Sequence, residues 1–224
     1  MNRITVGVLA AMLGASAAQA VVVGAGNSGT SWLAYMNVSE LPSNGGAFVF
    51  GNSWGIADLN TSFNDGAETM TFSPNTIGDP NPFWYTPAGG PGAAGNKIME
   101  ANAYYESTGL YNGQTVTFEG TVLSNTFTAA HSAIIFVKDF APDYSSVVTS
   151  QIALTAGAFS VSLNTINDPA RHIQWGIQVT GVNVWFTDTA PFGTAVISTA
   201  AIPAPGALAA LGLSGLIATR RRRG

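Results

Sequence analysis

The 224-residue chain is 46% hydrophobic but only 9% charged, against roughly 25% charged in an ordinary soluble domain, so Asn, Ser, Thr and 26 glycines must supply its polarity. Five of the eight basic residues, Arg3 and Arg220 to Arg223, sit at the ends, leaving Lys97, Lys138 and Arg171 against twelve carboxylates, a balance of −9. Three scattered cations exclude a nucleic-acid face, and the lack of cysteine excludes disulfides and thiolate chemistry.

The chain opens with a short positive stretch, Met1 to Arg3, an apolar run from Ile4 to Ala15, and the small-x-small sequence Ala18-Gln19-Ala20. This is the three-part pattern of a secretion signal, a helix over residues 1–20 that signal peptidase removes to leave Val21 first. The apolar run is shorter than the roughly 20 residues that span a bilayer.

Residues 21–201 read as one all-β ectodomain. Apolar residues alternate through Trp32, Ala34, Met36 and Val38, through Met70 and Phe72, and through Val116, Phe118, Gly120 and Val122. The same period returns at Phe159, Val161 and Leu163, at Ile173, Trp175, Ile177 and Val179, and at Val182, Val184 and Phe186. Period two is the mark of half-buried strands. Turn signals separate these runs at Ser43-Asn44-Gly45-Gly46, Asn64-Asp65-Gly66, Asn112-Gly113 and Asn167-Asp168-Pro169, and Thr180-Gly181 suggests a closing hairpin. With no amphipathic helix, the natural solution is an antiparallel two-sheet sandwich. Pro74 to Lys97, with five prolines and the triplet Phe83-Trp84-Tyr85, breaks the pattern and reads as a long irregular loop of the kind that often carries function.

Residues 202–224 mirror the start. Pro203-Ala204-Pro205-Gly206 precedes a short apolar helix from Ala207 to Ala218, and Arg220, Arg221, Arg222 and Arg223 follow. The arginines hold the C-terminus on the cytoplasmic side, and the marginal length of the run suits a temporary membrane anchor. This order resembles the PEP-CTERM sorting signal, in a variant with Pro-Ala-Pro-Gly where the usual Glu between the prolines is Ala204. The resemblance implies an exosortase-type transpeptidase as partner and a destination on the cell envelope surface or in the extracellular matrix. The strand pattern over Gly113–Phe127, Ala133–Phe140 and Ile173–Asp188 is similar to the second half of jelly-roll carbohydrate-binding modules, which implies a jelly-roll-like sandwich and an extracellular polysaccharide as partner.

Chemistry-bearing motifs are sparse. His131 and His172 stand far apart and in no metal spacing, and no P-loop occurs. Asp79, Asp139, Asp143, Asp168 and Asp188 carry oxygens of the kind calcium takes, but in no continuous loop motif, and capping or turn formation is the better account of them; no cofactor is assigned. The remaining candidates are aromatic rings able to stack on sugar faces. Trp84 and Tyr85 lead, followed by Trp54 and Tyr104, each of which could instead be core. Trp175 and Trp185 read as core. Three functions stay open: a non-catalytic polysaccharide-binding surface or matrix protein, a secreted glycan hydrolase or lyase with paired carboxylates, and a self-associating surface coat.

Overall fold

The computed structural model describes residues 20–201. Nearly all of the signal segment, and the sorting motif from Pro203 through Arg220 to Arg223, lie outside the described residues. The strands in chain order are β1 (Ala20–Val23), β2 (Leu33–Glu40), β3 (Phe48–Trp54), β4 (Thr61–Asn64), β5 (Thr69–Phe72), β6 (Tyr85–Thr86) and β7 (Ala94–Gly95). They continue as β8 (Lys97–Thr108), β9 (Thr115–Asn125), β10 (His131–Phe140), β11 (Val147–Ala153), β12 (Gly157–Asn164), β13 (His172–Val182) and β14 (Ala195–Ser198).

Two six-stranded sheets result, with β6 and β7 as a small separate pair. In sheet A, β12 takes one edge of β9, while β1 and β14 share the other, β1 against Thr115–Phe118 and β14 against Val122–Asn125. Beyond β14 lie β5 and β4. Sheet B runs β11-β10-β13-β8-β2-β3. All named pairings in these sheets are antiparallel except β1 with β9. The protein is an all-β sandwich.

Successive side chains of a strand point to opposite faces, so the alternating residues decide what lies between the sheets. Val116, Phe118 and Val122 of β9, with Phe159 and Val161 of β12, meet Met36 and Val38 of β2, Met99 and Ala101 of β8, Ile135 and Val137 of β10 and Ile177 of β13 in one buried cluster. A side chain of this size stabilises the fold by about 1.5–3 kcal/mol when fully buried, which replaces the missing disulfides. The core is closed by a buried ion pair, Arg171 Nε to Asp139 Oδ1 at 2.6 Å, with Ile166 N donating to the other carboxylate oxygen at 2.7 Å. These bonds tie the β12–β13 connection to β10.

The hairpin suggested at Thr180-Gly181 does not form: both residues belong to β13, which runs unbroken to Val182. The glycine is needed for a tertiary reason. Gly181 pairs with His131, and a Cβ there would fall 2.1 Å from the imidazole Cδ2, so the neighbouring strand's ring occupies the space a side chain would take. Burial pushes the His131 pKa down, partly countered by its contact with Val182 O at 3.0 Å.

The long segment before β8 folds back as a plug for one end of the sandwich. Asn75 donates to Met99 O and Val179 O at 3.2 and 3.3 Å, and Asn183 reaches Trp84 O at 2.8 Å. At another edge of the core, Trp32, Tyr105 and Trp175 pile together, with Trp32–Tyr105 and Tyr105–Trp175 centroids 4.4 and 5.5 Å apart.

Candidate functional site

The outward side of sheet B is unlike an ordinary solvated face. Alternation in β8 sends Met99, Ala101, Ala103 and Tyr105 inward and leaves Glu100, Asn102, Tyr104 and Glu106 outward. Register then sets their neighbours: Glu106 opposes Gln174, Tyr104 opposes Gly176 and Asn102 opposes Gln178. On β2, Tyr35 opposes Asn102 and Asn37 opposes Glu100, while β10 adds Phe136 beside Gly176 and Lys138 beside Gln174.

These side chains are long and brace one another. Asn37 Nδ2 and Asn102 Nδ2 donate to Glu100 Oε1 at 2.9 and 3.4 Å. Gln174 Nε2 donates to Glu106 Oε2 at 2.6 Å, and the Tyr144 hydroxyl reaches the same carboxylate at 3.1 and 3.2 Å. Lys138 lies with Nζ 4.1 Å from the Phe136 ring centroid and donates to Asn102 Oδ1 at 3.1 Å, with Gln178 Oε1 at 3.5 Å. Phe136 is fully buried although it belongs to the outward row, because this layer closes over it.

Charge is unevenly distributed. Lys97 pairs with Glu40 at 3.1 Å and Arg171 with Asp139, whereas Lys138 has no carboxylate within salt-bridge distance among the described residues and is held by amide oxygens and a ring. Burial pushes its pKa down, with the Glu100 charge opposing. Burial raises the Tyr104 pKa, and the nearby Glu106 and Tyr35 add to the rise.

Two glycines make room for this layer. Gly51 of β3 opposes Asn37, and a Cβ there would fall 2.9 Å from both Cε1 and Oη of Tyr35, so that ring lies across β3 instead of standing out. It remains 37% exposed. A Cβ on Gly176, between Phe136 and Tyr104, would fall 2.2 Å from Ala103 O. At the far end, Tyr144 on the β10–β11 turn adopts φ 58, a left-handed conformation that costs a non-glycine residue about 1–2 kcal/mol. Its ring stacks on His172 at 4.4 Å between centroids and 8° between planes. Burial, reinforced by the Glu106 carboxylate, pushes its hydroxyl pKa up to about 12.

Of the four aromatic candidates from sequence, only Tyr104 stands on this face. Tyr85 corrects the expectation of an exposed platform: it is 0% exposed, its hydroxyl 2.6 Å from Ile77 O and 2.9 Å from Val184 O. Burial raises its pKa. Trp84 is half-buried, edge-on to Phe50 and Phe83 at 6.2 and 4.7 Å, and packs against the core with the end plug. Trp54 is half-buried on the inward row of edge strand β3, opposite Ala34. Tyr35, Asn37, Asn102, Glu106, Lys138, Gln174 and Gln178 were missed. The run of large polar residues at the outward positions of β8 and β13 signals Asn102, Glu106, Gln174 and Gln178, while Tyr35, Asn37 and Lys138 on β2 and β10 join them only through register.

Each of the five aspartates has a partner within the protein, for three of them two residues further on. Asp79 accepts from Asn81 N, Asp143 from Ser145, Asp168 from Ala170 N and Asp188 from Gly92 N, while Asp139 pairs with Arg171. Among the described residues no group of three His, Asp or Glu converges as a metal cage. Two stretches spell enzyme motifs without their context. Gly24-Ala25-Gly26-Asn27-Ser28-Gly29 matches the dinucleotide fingerprint, and Gly51-Asn52-Ser53-Trp54-Gly55 the nucleophile elbow. The first leads from β1 into β2 and opens no helix, and Ser53 lies within β3 opposite Tyr35 instead of on a strand-to-helix turn.

No family model matches the chain, and no curated protein matches it significantly. A solved structure described as one of the carbohydrate-binding modules of promiscuous specificity from the β-sandwich superfamily is similar over 75% of this chain and 72% of its own. Identity is 20% and the TM-score 0.31, too loose a likeness to carry fold or ligand across.

Proposed function

We propose that this is an exported surface or matrix protein whose jelly-roll-like domain binds a neutral polysaccharide without cleaving it, on the outward face of sheet B. The observation that carries this reading is the grouping of Tyr35 and Tyr104, beside strands cleared by glycine, with the partly exposed Asn37, Gln178 and Glu106, braced from beneath by the buried Asn102 and Gln174. Rings of this kind stack on sugar faces, and amides and carboxylates hydrogen-bond the hydroxyls. The charge balance of −9 over residues 21–201 favours a neutral glycan over a polyanion. Glu100 and Glu106 lie six residues apart on one strand, about 20 Å at 3.3 Å per residue, wider than the roughly 5–9.5 Å between a glycosidase's two carboxyl groups. That pair therefore suits hydrogen bonding to a sugar and not hydrolysis.

Affinity electrophoresis of the full-length protein in neutral glucans, mannans and xylans, with polyuronates alongside, tests the binding. Retardation in at least one neutral gel is expected, weakened at least tenfold (about 1.4 kcal/mol) by Tyr104→Ala and unchanged by Trp84→Ala in folded protein. No retardation in any neutral gel defeats the reading. The two ends belong to the same proposal: residues 1–20 address export and residues 202–224 direct sorting by an exosortase-type enzyme. Intact mass of the surface form should correspond to a chain starting at Val21 and ending near Pro203, and a mass retaining Arg220 to Arg223 would leave a plain anchor.

A further inference from the structure

Among the described residues both edges of sheet B are open, and they differ in register: β3 pairs with β2 through a shift at Val38/Ser39, whereas β11 pairs with β10 without one. β11 reads Val147-Val148-Thr149-Ser150-Gln151-Ile152-Ala153, seven residues without a charge. Val147, Val148 and Ile152 are 46%, 44% and 40% exposed. A strand edge carries a row of free N–H and C=O groups, and proteins usually blunt it with lysine, proline or a bulge. β11 has none of these within its span, and it pairs with β10 in unbroken register.

The direction of its free backbone groups follows from its bonds to the neighbouring strand. Leu154 N donates to Ala133 O and Ala141 N to Ser146 O, both at 2.9 Å. In an antiparallel ladder, hydrogen-bonding pairs alternate, so the even-numbered residues between these two bonds turn their backbone groups toward β10. Val147, Thr149, Gln151 and Ala153 turn theirs outward.

That parity fits a two-fold axis through Ser150. Antiparallel pairing of β11 with β11 of a second copy, centred there, sets Thr149 against Gln151, Val147 against Ala153 and Val148 against Ile152. Every outward-turned residue then meets an outward-turned residue, and polar faces polar while apolar faces apolar. The sequence of the strand is a palindrome in chemistry. An isologous dimer requires such self-complementarity.

Charge permits the contact. The charged groups on the adjacent β10 are Asp139, buried against Arg171, and Lys138, which pairs with Thr149. In the dimer the two Lys138 residues would stand three strand spacings apart, about 14 Å at ~4.8 Å each, beyond the ~8 Å Debye length at physiological salt.

The geometry points to a homodimer formed by β11–β11 pairing, which extends sheet B from six strands to twelve and makes the outward faces of two copies one continuous surface. The pairing stands without any ligand. Its consequence for binding rests on the proposed function: two coplanar sites on a repetitive polymer gain avidity without a new contact.

The test uses full-length protein, whose lack of cysteine makes a single introduced thiol diagnostic. Ser150 meets its twin as a non-hydrogen-bonded pair with Cα atoms about 4.5 Å apart, inside the ~4.4–6.8 Å range of a disulfide. Mild oxidation of Ser150→Cys should give a disulfide dimer in high yield, and Ser160→Cys on exposed β12 should not. Sedimentation of the reduced wild type should show a concentration-dependent dimer. Gln151→Pro, which removes an outward N–H and no bond to β10, should weaken it at least tenfold. Thr149→Lys, an ordinary edge charge, should do the same if the proline variant fails to fold. A monomer at every concentration, equal cross-linking of Ser150→Cys and Ser160→Cys, or a dimer indifferent to the edge substitutions overturns the proposal. Because no glycan is present, its failure would leave the binding reading standing.

Discussion

The two outward faces of the sandwich obey the same alternation and build different surfaces. On sheet A, the outward residues of β9 and β12 are mostly short threonines, serines and asparagines, with Glu119 and Leu123 as the long exceptions, and they bond sideways to one another. Thr115 Oγ1 meets Asn164 Oδ1 and Thr117 Oγ1 meets Ser162 Oγ, both at 2.8 Å, and Ser160 Oγ meets Glu119 Oε1 at 3.2 Å. These three bonds each close one strand gap, leaving a low ladder above which Leu123, 51% exposed, stands at one end. On sheet B the outward residues are amides, acids, tyrosines and a lysine, which span two or three strands and bury a phenylalanine beneath them. Period two thus decides which residues face out, and side-chain length decides whether that face is a ladder or a platform.

The largest effect expected from breaking this contrast is at Gly176. Alanine there brings a Cβ against Ala103 O in the middle of the platform, and relieving the overlap by backbone shift should cost about 1–3 kcal/mol. Thr117→Ala on the ladder removes one cross-strand hydrogen bond at an exposed site, worth about 0.2–1 kcal/mol. Urea denaturation midpoints of the two variants measure the difference. Equal midpoints would mean that the platform is no more tightly packed than the ladder.

How far the sequence reveals this depends on whether a residue's role is local. β2, β5, β9, β12 and most of β13 announce themselves by alternation because one face is buried against the other sheet. β11 and β3 do not, since an edge strand exposed on both sides, such as Val147 to Ala153, has little reason to alternate. Gly181 resembles a turn residue and is in fact a socket for the His131 ring from another strand. Sequence spacing contains no trace of that contact. Tyr104 and Tyr105 are adjacent and identical in type, and only the phase of β8 separates them, sending the first outward and the second against Trp175. Phe83-Trp84-Tyr85 left two readings open in the sequence, rings for stacking on sugars or an inward plug of one sandwich end, because an irregular segment can do either. Asn75 and Asn183, which bond backbone carbonyls of the sandwich and of the plug, decide for the plug. The platform itself was the least legible feature, because its members come from β2, β8, β10 and β13 and meet only through register.

The smallest effect separates the faces by pH. The outward rows of β9 and β12 contain no tyrosine, whereas the platform contains Tyr144, whose hydroxyl pKa is pushed up to about 12 from 10.0, first by burial and then by Glu106. The folded state therefore holds the phenol proton more tightly than the unfolded chain does. This contribution is fully present below pH 10, where both states are protonated, and is lost as pH rises through 12, because the unfolded chain releases its proton first. Tyr144 is half-exposed, so solvent screening keeps the effect modest. Tyr144→Phe retains the stacking on His172 and loses the titrating group. Its denaturation midpoint should match the wild type to within about 1 kcal/mol at pH 8 and fall less steeply between pH 10 and 12. The alkaline loss that remains belongs to Tyr85, Tyr104 and Tyr105, whose pKa values burial also raises. Parallel decline of variant and wild type across that window would show that Tyr144 sits in water, detached from Glu106, and that the platform ends at His172.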